Sequence, residues 1–229
     1  RDILMTSIEE FYGRRGALYD RIATAPGISR WRRTAARRVA RPGSTVVEMG
    51  CGTGVNLPYL REEVGVDGRV LGIDITGPLL ERARTRAAEY ENVDVVLGDA
   101  TDPPIEDADA ILATFVCGLF SDPGRVVDRW CDFLAPGGRI GLLNATASVT
   151  PLGRLFNPAF RTFVAAGAPD CGFEDVLRAP LGNVETALSR RVDTARAALA
   201  DRTIDRRYET FGLGFVGLLT GTVTGDRGQ

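Results

Sequence analysis

The chain has 229 residues, a formal net charge of −2 and 28 basic side chains, all of them arginine, with neither histidine nor lysine. Without histidine there is no Ser-His-Asp or Cys-His nucleophile pair and no imidazole metal site. Without lysine there is no Schiff base, no pyridoxal phosphate anchor and no P-loop or kinase lysine, so chemistry must rest on backbone amides, carboxylates, hydroxyls, arginine or a thiol.

Apolar residues make up 44% and charged residues 25%, the balance of a folded globular chain with a sizeable core. Cys51, Cys117, Cys131 and Cys171 show no C-x-x-C spacing and no signal peptide pattern precedes them, which reads as reduced thiols in a cytoplasmic protein. The longest apolar run, Phe211 to Val223, is broken by four glycines and is too short to span a bilayer as a helix.

In chain order, Ile28, Trp31, Ala35 and Val39 recur at helical spacing with arginines on the other faces, predicting a helix that runs to about Ala40. Thr45 to Glu48 reads as a buried strand, followed by glycines and a helix from about Asn56 to Glu63. Arg69–Ile73, Val93–Leu97, Ala108–Ala113 and Arg139–Leu143 read as further strands. Helices start near Thr76 and run from Pro123 to Leu134 between them. Five strands alternating with helices predict right-handed crossovers and a parallel sheet covered on both faces. After Asn144 the alternation stops. A helical insertion over about 145–205 has breaks expected at Pro151, Pro158, Pro169 and Pro180. Arg207–Phe211 and Phe215–Val223, joined across Gly212-Leu213-Gly214, read as a terminal β-hairpin. The expected organisation is a helical segment over 1–41 that covers an active site in the domain over 42–229.

Gly50, Gly52 and Gly54 in Glu48-Met49-Gly50-Cys51-Gly52-Thr53-Gly54 follow a strand directly and lead into a helix. Such a loop can turn tightly, approach a ligand and offer free amides at the helix start. Asp74 closes the second strand, where a carboxylate can grip both ribose hydroxyls, and Asp99 closes the third, where it can meet an adenine amino group. The glycine spacing is G-x-G-x-G, since Val55 stands where a dinucleotide fingerprint needs its third glycine. Glu48 would repel a pyrophosphate but would suit a cationic sulfonium cofactor with a free amino group. Asn56 at the helix start is a candidate cap, a candidate cofactor contact, or both.

These motifs resemble those of the class I S-adenosylmethionine-dependent methyltransferases over Val46 to about Leu143. Glu48 to Gly54 is similar to their first motif, Gly72-Ile73-Asp74 to their ribose-binding strand, and Gly98-Asp99-Ala100 to their adenine-binding strand. Leu134-Ala135-Pro136-Gly137-Gly138-Arg139 is similar to the turn before their fifth strand. The resemblance implies a Rossmann-like α/β fold with a seven-stranded, mostly parallel sheet whose last strand is antiparallel. It implies S-adenosylmethionine as cofactor and S-adenosylhomocysteine as product, held by Glu48, Gly50, Cys51, Gly52, Gly54, Asn56, Asp74, Ile75, Asp99 and Ala100. Phe11-Tyr12 and Leu18-Tyr19-Asp20 are similar to the N-terminal segment of the quinone-biosynthesis C-methyltransferase group, which would set Tyr19 over the cofactor. Phe115, just past the fourth strand, would line the pocket, or pack as a core aromatic. Any general base must be a carboxylate, a phenol or water, and Asp20, Tyr12 and Asp122 are the unranked candidates; no metal ligand set is visible.

Leu152, Leu155, Phe156, Phe160 and Phe163 suggest a lipophilic small-molecule acceptor, or simple packing of the insertion on the sheet. Quinone precursors and phospholipid amines are the expected kinds. Nine arginines against one acid, Asp20, between Arg14 and Arg41 suggest peripheral contact with an anionic membrane, or a solvated helix face. Nucleic acid is not favoured: Ala113-Thr114-Phe115-Val116 lacks the Asn/Asp-Pro-Pro-aromatic signature of base-nitrogen methylation, and Asp102-Pro103-Pro104-Ile105 follows the wrong strand. The alternatives are an RNA or protein methyltransferase and a regulator that binds the cofactor without turnover.

Overall fold

The computed structural model describes residues 26–166 and 184–224. Helix α1 (Pro26–Val39) leads into β1 (Thr45–Met49), α2 (Leu57–Val64), β2 (Arg69–Asp74), α3 (Gly77–Ala87), β3 (Val93–Leu97) and β4 (Ala108–Thr114). A short 3-10 turn at Cys117–Leu119 precedes α4 (Pro123–Asp132) and β5 (Leu134–Ala145). The helices α5 (Pro151–Arg154), α6 (Asn157–Ala166) and α7 (Val184–Arg202) follow, then β6 (Thr203–Phe211) and β7 (Val216–Val223).

The seven strands form one sheet in the order β3-β2-β1-β4-β5-β7-β6. β7 pairs antiparallel with both β5 and β6, whereas the pairs among β1 to β5 are parallel. The reversed strand is thus last in the chain but sits inside the sheet, where the terminal hairpin inserts it beside β5. Strand order reverses between β1 and β4, and a crevice opens outside the carboxyl ends of strands at such a switch point.

Alternate residues of each strand feed two cores, one on each face. On one face Ala35, Ala36 and Val39 of α1 join Leu57, Leu60 and Val64 of α2 and Leu80 and Ala83 of α3 over Val46, Val70, Leu112 and Leu143. On the other, Val127 and Trp130 of α4 and Ala195 and Leu199 of α7 cover Val47, Met49, Ile73, Ile111 and Leu142. Val192, Ala195 and Leu199 share one face of α7 and all three are buried.

Three local expectations are corrected. Leu134 opens β5 instead of closing α4, because the turn at Pro136–Gly138 is a bulged start of the strand rather than a break before it. Pro151 starts α5 and Pro158 lies at the start of α6, since a proline costs no hydrogen bond in the first helical turn. Pro169, Pro180 and Cys171 lie outside the described residues.

Candidate functional site

The glycine loop leaves β1 at the switch point. Gly50, Gly52 and Gly54 all have left-handed backbones, with φ of 67°, 55° and 75°. Their surroundings differ. A Cβ on Gly50 would lie 2.7 Å from Val116, and one on Gly54 would lie 2.8 Å from Leu57 and 2.9 Å from the Ala83 backbone. A Cβ on Gly52 would meet nothing within 4 Å. The outer two glycines therefore seat the loop against the fold, and the middle one presents bare backbone to open space.

Three amides of the loop are bonded within the protein. Cys51 N–H donates to Ile73 O at 2.9 Å, Gly54 N–H to Cys51 O at 2.9 Å and Gly52 N–H to Asp74 Oδ2 at 2.8 Å. The other oxygen of Asp74 accepts from Thr76 N–H at 2.8 Å. One carboxylate thus ties the loop to the start of α3. Asp74 is nearly buried and Ile75 beside it is half-buried.

Past β3, Asp99 is exposed and its Oδ1 accepts from both the amide and the hydroxyl of Thr101, each at 2.8 Å. The buried Trp130 indole donates to Ala100 O at 2.7 Å, fixing the chain that carries Asp99. Pro104 sits 3.0 Å from where a Gly98 Cβ would be, so the nearby Asp-Pro-Pro run packs against this corner. Asp102 of that run pairs with Arg129.

Glu48 and Asn56 lie beneath the loop and are fully buried. Asn56 makes no side-chain cap to α2, which corrects the capping expectation. Its Nδ2 instead donates to Glu48 Oε1 and, at 2.9 Å, to Thr114 Oγ1. Its Oδ1 accepts from Arg32 Nη1 at 3.0 Å, and the same nitrogen reaches Thr114 Oγ1 at 3.3 Å. Thr114 Oγ1 lies 3.4 Å from Glu48 Oε1. Burial pushes the Glu48 carboxyl up to about 7, against the hydrogen bonds from Asn56 and Thr114 and the Arg32 charge.

Sequence reasoning missed Arg32 and Thr114. Arg32 is one of many arginines on α1 and was read with the solvated set, yet it is 3% exposed. The available signal was its place in the apolar stripe, one residue after Trp31. Phe115 follows Thr114 with φ of 59°, a left-handed backbone that costs a non-glycine residue about 1–3 kcal/mol and is found at functional sites. Its half-buried ring packs against the first core and carries the Arg32 guanidinium 5.2 Å from its centroid.

The remaining expectations sort as follows. Cys51 is buried and its thiol is pushed well above the ordinary value by burial, so it is a small core residue and a poor nucleophile. Asp122 caps α4 by accepting from Arg125 N–H at 3.1 Å. Tyr12, Tyr19, Asp20 and the Phe163 side chain lie outside the described residues. Among the described residues, no group of three His, Cys, Asp or Glu could hold a metal, and no helix is long and apolar enough to cross a membrane.

Leu152, Leu155 and Phe156 are 56%, 74% and 50% exposed, so they do not pack the insertion onto the sheet. Phe160 packs against the hairpin turn, with its ring 5.0 Å from that of Phe215. A cleft of about 570 Å³ runs between α5 and the hairpin, lined by Leu152, Phe211 and Leu213 among others. Several α1 arginines have partners: Arg33 faces Glu62 at 3.9 Å, Arg37 faces Glu63 at 3.1 Å and Arg38 faces Glu209 at 2.6 Å.

Comparison with known proteins gives a consistent result. A methyltransferase domain model matches residues 46–138. The chain is 38% identical over 136 residues to the nocamycin O-methyltransferase of Saccharothrix syringae, covering 55% of this chain and 49% of that one. It is 31% identical over 180 residues to the 2-phytyl-1,4-naphtoquinone methyltransferase of Synechococcus elongatus, covering 73% and 77%. The crystal structure of a SAM-dependent methyltransferase from Thermotoga maritima, described as a possible histamine N-methyltransferase, superposes with a TM-score of 0.62 at 19% identity, covering 93% and 98%, and shares the fold. The chain spans about half or less of the first three curated relatives it matches, at 49%, 30% and 39% of their lengths. The glycine loop at the switch point, the carboxylates at three strand ends and the 31% identity over most of a quinone-modifying relative agree, and the chain belongs to the class I S-adenosylmethionine-dependent methyltransferases.

Proposed function

We infer that this chain binds S-adenosylmethionine at the glycine loop and transfers its methyl group to a small, lipophilic acceptor. The observation that carries the reading is the Gly52–Asp74 contact: the open glycine and the carboxylate at the end of β2 are held in one rigid unit at the switch point. Asp74, whose oxygens each accept one backbone N–H, retains lone pairs for ribose hydroxyls. Asp99, exposed one strand further along, suits an adenine amino group. The donor set favours this cofactor over a dinucleotide, because amides that would cradle a pyrophosphate are already bonded within the protein and Glu48 lies below them.

Bound S-adenosylmethionine supplies a methyl group on a cationic sulfur that leaves readily. The protein's share is then alignment, which can lower a barrier by several kcal/mol without acid–base groups. That suits a chain with no histidine or lysine. Phe115, fixed in its strained backbone, suits a wall between cofactor and acceptor. Tyr19 remains the proposed cover over the methionine end.

The lipophilic acceptor rests on Leu152, Leu155 and Phe156, which leave an apolar surface beside the carboxyl end of β5. Among the relatives, one is named for a phytyl naphthoquinone and another for O-methylation of nocamycin, so a ring carbon or a hydroxyl are both candidate nucleophiles. Peripheral membrane contact through α1 and the turn after it would have to use Arg30 and Arg41, which are exposed, more than the arginines already paired.

Calorimetry with S-adenosylhomocysteine tests the cofactor site: Asp74→Ala is expected to weaken binding about 100-fold, equivalent to ~2.7 kcal/mol. No binding by the unaltered chain would overturn the reading. A radiolabelled methyl-transfer assay on lipid, metabolite and RNA extracts tests the acceptor, and label in RNA alone would overturn the lipophilic assignment.

A further inference from the structure

Arg32 belongs to α1, before the sheet begins, yet its guanidinium reaches the buried space beneath the glycine loop. One nitrogen, Nη1, bonds Asn56 and Thr114, the two residues whose side chains contact Glu48 Oε1. The guanidinium carbon lies over the Phe115 ring, 5.2 Å from its centroid. Among the described residues, Arg32 Nε and Glu48 Oε2 are both buried without a hydrogen-bond partner. Buried charges without compensation cost several kcal/mol, so a carboxylate and a guanidinium in one dry space constrain each other strongly.

We propose that Arg32 is a positioning residue for cofactor binding, which holds Asn56 and Thr114 in place and supplies the counter-charge to Glu48 without touching the cofactor. The proposal rests on the reading of this loop as the S-adenosylmethionine site. It makes cofactor affinity depend on how α1 is seated, so the segment before the methyltransferase domain is part of the binding machinery.

The charged and titratable groups facing Glu48 come from three directions: Arg32 on α1, Asp74 at the end of β2 and Cys51 in the loop. Asn56 and Thr114 add neutral hydrogen bonds. Only Arg32 favours the ionised carboxylate by charge; Asp74 and burial oppose it. Removal of the guanidinium therefore moves Glu48 ionisation to higher pH. If the cofactor's ammonium prefers the ionised form, affinity on the acidic side falls by a factor of ten for each unit of that movement.

The test is calorimetric titration with S-adenosylhomocysteine from pH 5.5 to 8.5, on the unaltered chain, Arg32→Met and Arg32→Lys, with thermal melting of each. The ligand's own amino group titrates identically throughout and cancels in the ratios. The expected result is binding by all folded forms, with the Arg32→Met midpoint raised by about one unit, affinity at pH 6 down about tenfold, and a partial return in Arg32→Lys. Equal pH profiles for the unaltered chain and folded Arg32→Met would overturn the proposal. If Arg32→Met does not fold, the comparison with Arg32→Gln decides in the same way, since glutamine removes the charge but keeps a hydrogen-bond donor. Failure of the unaltered chain to bind would instead overturn the reading of the site itself.

Discussion

The proposed cofactor side and the proposed acceptor side of the crevice are built on opposite principles. Around the ends of β1, β2 and β3, nearly every polar group is already committed: Asp74 to two amides, Asp99 to Thr101, Asn56 to three side chains. Beyond β5, α5 and the turn after it present Leu152, Leu155 and Phe156 to solvent, above backbone tied by Ser148, Thr150 and Asn157. A fixed cofactor needs a preorganised cradle that spends no binding energy on rearrangement. A greasy acceptor needs only apolar area near the methyl group, which demands little directional geometry. The first half therefore tolerates few changes and the second many.

The sharpest way to break this contrast is to disturb the cofactor half by one methyl group. Gly54→Ala forces a left-handed alanine whose Cβ meets Leu57 and the Ala83 backbone at 2.8 and 2.9 Å. The strain and overpacking together should cost about 4 kcal/mol, read as a lowered chemical-denaturation midpoint. Unchanged stability would mean the loop is not seated as described.

A second test uses the buried carboxyl. Glu48 in the folded protein titrates near 7 rather than 4.5, mainly through burial. The folded state then holds a proton that the unfolded state has lost between those values, so the contribution to stability is full below about 4.5 and declines as pH rises through 7. Glu48→Gln removes the titration. Relative to the unaltered chain, it should gain about 3 kcal/mol between pH 4 and pH 8, measured by urea unfolding across that range. A pH-independent difference would show that Glu48 is not held in a dry site.

The smallest expected effect on stability sharpens the other side of the comparison. Leu155→Ser changes a side chain that is 74% exposed, so folding stability should move by less than about 0.5 kcal/mol. The KM for a lipophilic acceptor should rise several-fold while cofactor affinity stays constant. A loss of stability comparable to that of Gly54→Ala would place Leu155 in a packed core and remove the support for an apolar acceptor surface.

The legibility of the two halves in the sequence follows the same division. The places of Gly50, Gly52, Gly54, Asp74 and Asp99 were readable because each depends on local order: a glycine where φ is positive, a carboxylate where a strand ends. The same local logic gave the five alternating strands and the terminal hairpin. It failed at Asn56, where the helix-start position suggested a cap and the side chain turned inward to Glu48.

Sequence alone determined that this chain offers no imidazole or lysine amine as catalyst, that the fold alternates strand and helix, and that three strand ends carry carboxylates. These depend on composition and on spacing along one segment. Only the tertiary structure decided that Arg32, 24 residues before Asn56 and 82 before Thr114, joins them in one buried cluster. It also decided that β7 inserts between β5 and β6, and that Leu155 faces outward. The physical reason is that burial and charge pairing are set by what other segments bring to the same point in space, and periodicity within one helix cannot record that.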